Sequence, residues 1–146
     1  MEFDILSERL NNVLRVLDLP AAEQYEKLRQ AAGKELPYLR ALHRLDPCFW
    51  QGRILLFNRM TPPHKDLLNP PAEWTPLHAA GNFTTGGSLY VDELRLRVRY
   101  LPGDLIFLRG RCLTHYVERW EGGQRISAVY FTHESFWGYF NQRLSL

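Results

Sequence analysis

The 146-residue chain has only two cysteines, little excess of either charge and no long apolar run. Cys48 and Cys112 lie far apart and match no zinc-binding spacing, so both read as reduced, structural residues. No apolar stretch approaches the roughly 18 to 20 residues a membrane-spanning helix needs, so no membrane association is expected. The opening MEFDILSERL carries acids where a secretory signal carries bases, which makes an intracellular location, cytoplasm or nucleus, the expectation. A net charge of +2 is also far from the strongly basic balance typical of proteins that live on duplex phosphate. The densest basic run is LRLRVRY, in which Arg95, Arg97 and Arg99 alternate with Leu96, Val98 and Tyr100. That alternation is the pattern of a solvated strand face; a nucleic-acid contact is the competing reading. No internal repeat, linker or low-complexity segment interrupts the chain, and nothing in it calls for an obligate protein partner.

What is present fits one globular domain, 1–146, with 45% hydrophobic and 13% aromatic residues. Residues 1–46 read as helical support and 47–140 as a β-rich core. Leu6, Leu10, Val13 and Leu17 recur at helical spacing, and Asp18-Leu19-Pro20 ends one helix and starts the next. The second helix carries Ala21, Tyr25, Leu28 and Ala32 on one face and is expected to end at Gly33. A third segment, with Leu39, Leu42 and Leu45, runs to Asp46-Pro47, and these amphipathic helices are expected to brace a sheet. From Phe49 onward the runs RILLFN, PLHAAG, SLYV, LRLRVRY, LIFLR, HYVERW and RISAVYFT are separated by Gly, Pro and Asn. Such short strands without intervening helices point to an antiparallel sandwich, barrel or jelly roll. Leu101-Pro102-Gly103-Asp104 fits a type II turn, and Gly86-Gly87 and Gly122-Gly123 mark two further tight connections.

His64-Lys65-Asp66 places an imidazole and a carboxylate two residues apart behind Pro62-Pro63. In extended backbone, residues i and i+2 face the same side, so both can reach one metal ion. His115 opens a late strand that a jelly roll can return beside the first pair. Two imidazoles and one carboxylate form the facial triad of non-haem Fe(II) sites, which leaves coordination positions open. Arg125 and Ser127 share one strand face further on, where a guanidinium and a hydroxyl can jointly receive a carboxylate.

These residues, in this order and with the Gly86-Gly87 and Pro102-Gly103-Asp104 turns, resemble the Fe(II)/2-oxoglutarate-dependent dioxygenases over roughly residues 47–137. The strand wording FNRMTPPHKD, GNFTTGGSLYVDELRLRVRYLPGDLIFLRG and LTHYVERWEGGQRISAVYF resembles the compact fungal branch of their TET/JBP-like superfamily. The resemblance implies a double-stranded β-helix with N-terminal helices. It also implies that His64, Asp66 and His115 bind Fe(II), that Arg125 anchors 2-oxoglutarate with help from Ser127, and that O2 is consumed, with ascorbate as a candidate reductant. The implied reaction is hydroxylation of a C–H bond, with a methylated nucleobase in nucleic acid as the foremost substrate. The same chemistry on a small molecule or a protein side chain is the runner-up, and a metal-binding jelly roll without turnover comes third.

Other residues carry two readings each. Asn58 either hydrogen-bonds the co-substrate or the substrate, or satisfies a strand-end turn. The loop DLLNPPAEWTP, residues 66–76, follows the triad and is the best placed substrate lid, with Asn69, Glu73 and Trp74 as its substrate contacts. Trp74, Trp120, Phe136 and Trp137 suit stacking on a planar base or ordinary packing. His78 reads as a hydrogen-bonded, partly buried residue and His133 as a cap or surface residue; His43 receives no role.

Overall fold

The computed structural model describes residues 3–145. The chain divides into two compact units, Met1–Gln51 with Thr132–Leu146, and Gly52–Phe131. The helix-to-strand boundary expected near residue 46 thus falls at Gly52, and residues from Thr132 onward group with the N-terminal helices.

The first unit holds α1 (Phe3–Leu17), α2 (Leu19–Glu35), α3 (Pro37–Leu45) and α4 (Glu134–Tyr139). Asp18 caps α2 by accepting a hydrogen bond from Ala21 N at 3.0 Å, and Pro20 sits in the first turn, where no amide hydrogen is missed. Its buried face carries Tyr25, Leu28 and Ala32 as the spacing predicts. Tyr25 packs on Phe49, Trp50 and Trp137, the last edge-on at 4.9 Å.

Three helical expectations are corrected. The buried face of α1 is Ser7, Leu10, Asn11 and Leu14, while Val13 and Leu17 are exposed. Asn11 turns the stripe inward because its amide bonds Pro47 O at 2.8 Å and accepts from Phe49 N at 2.9 Å. Helix α2 runs past Gly33 to Glu35, ending before Pro37, whose ring disfavours helical backbone at Leu36. Gly33 serves close packing instead: a Cβ there would stand 3.2 Å from Arg40 Cβ of α3. Helix α3 lies along α2 and has no buried residue, so its apolar positions Leu42 and Leu45 are exposed.

The second unit is all strand: β1 (Gly52–Phe57), β2 (Thr75–Gly81), β3 (Thr85–Gly86), β4 (Leu89–Val91), β5 (Leu96–Val98), β6 (Leu105–Leu108), β7 (His115–Val117), β8 (Trp120–Glu121) and β9 (Arg125–Phe131). They form a four-stranded sheet in the order β1-β9-β2-β6, a three-stranded sheet β5-β4-β7 and the pair β3-β8. Every pairing is antiparallel. The core draws Leu77, Ala79, Ile106, Leu108 and Val129 from the first sheet and Leu89, Val91, Val98 and Val117 from the second. Alternate residues of each strand supply it, as a two-residue period requires. The expected turn after Tyr100 forms, with Gly103 at φ +94° and Asp104 N bonded to Leu101 O at 3.0 Å. The long run LRLRVRY yields only the three residues of β5, because Arg95, at φ +48°, closes a turn back to Asp92. Arg95, Arg97 and Arg99 are exposed, and Arg97 is engaged by Glu118 at 2.7 Å.

Candidate active site

Strand β1 ends at Phe57, just before Asn58, and Pro62-Pro63 then deliver His64 alongside β7. A two-residue antiparallel bridge fixes the register: His64 N donates to His115 O at 3.1 Å and His115 N to His64 O at 2.9 Å. The two imidazoles lie 4.4 Å apart between centroids. Each Nδ1 faces a backbone carbonyl, Pro62 O at 2.8 Å for His64 and Leu113 O at 2.9 Å for His115. A carbonyl only accepts, so both Nδ1 atoms carry the proton, and in the neutral imidazole it is Nε2 that offers the lone pair. Burial lowers the His115 pKa, the Leu113 carbonyl and Asp66 opposing it in part, and this favours the neutral, ligating form.

Asp66 is held by its own backbone, with Asp66 N donating to Gly110 O at 3.0 Å. Its Oδ1 lies 3.7 Å from His64 Nε2 and its Oδ2 4.0 Å from His115 Nε2. Both separations exceed hydrogen-bond range, yet two ligand bonds of roughly 2.0 to 2.2 Å each can bridge them. All three ligand atoms lie within 4.8 Å of one another. Asp66 Oδ2 is buried and has no hydrogen-bond partner among the described residues, the state of an oxygen whose partner is an ion. The donor set therefore fits a divalent metal of the non-haem iron type. Gly110 makes room for it, because a Cβ at that position would collide with the Asp66 carboxylate.

The cavity holding these three residues is also lined by Arg125, Ser127 and Tyr100, with Leu77, Leu89, Val117 and Val129 as apolar wall. Arg125 begins β9 and is 2% exposed. Asn58, in left-handed backbone at φ +50°, brackets it by accepting from Arg125 N at 2.8 Å and donating its own N–H to Arg125 O at 2.8 Å. Asn58 thus performs the strand-end role and is itself exposed. The Arg125 Nη1 donates to Ser127 Oγ on the same face of β9, as the alternation predicts. Three rings surround the guanidinium, Tyr100 at 4.9 Å and Phe83 and Trp120 at 5.6 Å each. Burial pushes the Arg125 pKa down, with Tyr100 opposing, although a guanidinium stays charged. Its Nε and Nη2 are buried and complete no hydrogen bond with a described residue, though the Tyr100 hydroxyl lies close enough to favour the charge. A buried cation with free donors is costly unless an anion meets it.

The loop 66–76 is strapped down. Arg111 Nη1 donates to Leu67 O at 2.6 Å and Asn69 O at 2.9 Å, Arg109 Nη1 donates to Ala72 O, and Cys112 Sγ lies 3.4 Å from Pro71 O. The Arg109 guanidinium covers the Trp74 ring at 4.2 Å. Asn69 and Glu73 are 3% and 1% exposed, and neither they nor Trp74 lines the cavity. The structure therefore brings together His64, Asp66, His115, Arg125 and Ser127 and leaves Asn69, Glu73, Trp74 and Asn58 out of the cavity wall. Trp120 packs on Arg125, Trp137 on Tyr25 and Phe136 on Phe140. His78 Nδ1 donates to Asp104 O at 3.1 Å, His133 occupies the N-cap position of α4, and His43 pairs with Gln51. Sequence reasoning passed over Arg59 and Thr61, which line the cavity, and Gly110. Their position in the short approach to His64 was the available signal for the first two.

No protein-family model matches the chain. Over 147 residues, 88% of the chain, it is 30% identical to Tet-like dioxygenase 1 of Naegleria gruberi. Its structure is similar to NgTET1 in complex with 5mC DNA, at a TM-score of 0.56 and 27% identity, over 70% of this chain. In sequence and in fold, then, the chain is similar to a Tet-like dioxygenase. The chain spans 44% of the curated relative and 43% of the structural one, so the likeness reaches less than half of either. With that match the two facing sheets are identified as the double-stranded β-helix of the Tet-like fold, with N-terminal helices before it. Among the described residues no helix is long and apolar enough to cross a membrane.

Proposed function

We propose that the chain is the catalytic part of an Fe(II)- and 2-oxoglutarate-dependent dioxygenase of the TET/JBP-like type, of the compact kind, that hydroxylates the methyl group of a nucleobase in nucleic acid. The observation that carries the reading is the shared cavity: a His/Asp/His cluster with an orphaned carboxylate oxygen and a buried arginine with free donors open into one space. His64, Asp66 and His115 would hold the iron, and Arg125 with Ser127 would take the far carboxylate of 2-oxoglutarate. When bound, iron and 2-oxoglutarate supply O2 activation and the oxidative decarboxylation to succinate and CO2 that accompanies hydroxylation.

The chain's own residues position these groups. The carbonyls of Pro62 and Leu113 fix both imidazole tautomers. Ser127 Oγ, accepting from Arg125 Nη1, steers the guanidinium's remaining donors toward the cavity. Leu77, Leu89, Val117 and Val129 exclude water, which strengthens the ion pair between Arg125 and a carboxylate.

A second reading, the same chemistry on a small molecule or a protein side chain, is favoured by the engagement of surface cations within the fold. Arg97 binds Glu118, Lys65 binds Glu93, and Arg109 and Arg111 bind loop carbonyls. Aerobic incubation with oligonucleotides carrying 5-methylcytosine, thymine or N6-methyladenine, followed by nucleoside mass spectrometry and succinate assay, separates the two. An oxidised base supports the nucleic-acid substrate; succinate formation with every base intact supports the second reading.

A further inference from the structure

The two segments that carry the metal ligands are joined by one acid outside the cluster. Glu93 lies in the turn between β4 and β5, closed by Arg95 N to Asp92 O at 3.0 Å. Its Oε1 pairs with Lys65 Nζ at 2.9 Å, and Lys65 stands between His64 and Asp66. The same carboxylate accepts from Thr114 N at 2.7 Å and from Thr114 Oγ1 at 2.8 Å, immediately before His115. The backbone reinforces the contact, since Asp92 N donates to Thr114 O at 3.0 Å. Glu93 therefore grips both ligand segments in addition to the bridge His64–His115 and the bond from Asp66 N to Gly110 O. The carboxyl is held far below its ordinary range, to about 2, chiefly by Lys65.

We infer that Glu93 is a positioning residue for the metal cluster, setting the spacing of His64 and Asp66 against His115 through Lys65 and Thr114. This inference rests on the reading of His64, Asp66 and His115 as metal ligands. An isolated surface ion pair contributes little to stability, so a carboxylate with three contacts at this place should act on ligand geometry more than on folding. Groups that orient ligands from outside the cluster typically change metal affinity by roughly 10- to 100-fold.

The test uses Co(II) as probe, with titration of its visible absorption and a thermal melt of the metal-free protein. Glu93→Ala should weaken Co(II) binding by about 10-fold and alter the band shape, with little change in melting temperature. Glu93→Gln should fall between, because its amide oxygen still accepts from Thr114 while the ion pair with Lys65 is gone. Lys65→Met should weaken binding more modestly, and its effect should largely vanish on a Glu93→Ala background, since both act through one contact. Unchanged affinity and band shape in Glu93→Ala would overturn the inference. So would a drop in melting temperature with Co(II) binding intact, which makes Glu93 a surface brace only. A wild-type protein that binds no Co(II) would instead overturn the metal reading beneath it.

Discussion

The two ends of the cavity are built in different ways. At one end, three ligands come from two chain segments brought together by a two-residue bridge, a glycine that yields space and a surface carboxylate. At the other, Arg125 and Ser127 come from one strand, two residues apart, and the guanidinium is buried under three aromatic rings. The first end depends on long-range assembly and tolerates little displacement. The second is rigid and pre-formed, at the cost of a buried charge that awaits an anion.

Breaking the rigid end should have the largest effect on co-substrate. Arg125→Met should weaken 2-oxoglutarate binding by at least about 30-fold, the lower edge of the roughly 2 to 5 kcal/mol typical for truncating one partner of a buried charge pair. Metal affinity should stay near wild type, and the melting temperature of the ligand-free protein should hold or rise, because an uncompensated buried cation is gone. Calorimetric titration and a thermal melt check both; a large fall in melting temperature would show that Arg125 holds up the fold itself.

Disturbing the assembled end comes next. Gly110→Ala puts a methyl group on the Asp66 carboxylate and near Thr75 Oγ1. Overpacking of this kind costs about 1 to 3 kcal/mol, and Co(II) affinity should fall with it, whereas Gly103→Ala, whose Cβ would meet nothing, should leave metal binding unchanged. Equal effects of the two substitutions on metal binding would contradict the cradle.

The smallest effect concerns pH. The folded pKa of Glu93, about 2, lies below the ordinary carboxylate value of 4.5, so its stabilising contribution is present above about 4.5 and is lost as pH falls toward about 2. The small stability difference between wild type and Glu93→Gln should therefore shrink as pH is lowered from 5 to 2. A difference that grows as pH falls, in denaturant titrations across that range, would contradict the contact between Glu93 and Lys65.

The rigid end was legible because it rests on local periodicity: residues 125 and 127 of one strand must share a face. His64, Asp66 and His115 were legible through residue type and order, although their meeting depends on pairing that the chain between them does not announce. Local signals failed where tertiary contacts overrode them. Asn11 lies on the buried face of α1 because it bonds residues 47 and 49, which no helical period reveals. Gly33 looks like a helix end but lets α3 approach. The proline-rich loop 66–76 reads as a substrate lid, yet Arg109 and Arg111, from a distant segment, bind its carbonyls. Gly110 and Glu93 carried no signal of their own, since each acts on a residue remote in sequence.

The central claim is that the two ends of the cavity serve one metal and one dicarboxylate together. Anaerobic titration of the protein with Fe(II) and 2-oxoglutarate tests it most directly, because the visible charge-transfer band arises only when the co-substrate chelates the bound iron. The account predicts a band in the wild type, its loss in Asp66→Ala and its weakening at limiting 2-oxoglutarate in Arg125→Ala. A wild-type protein that shows no band at saturating Fe(II) and 2-oxoglutarate would contradict it.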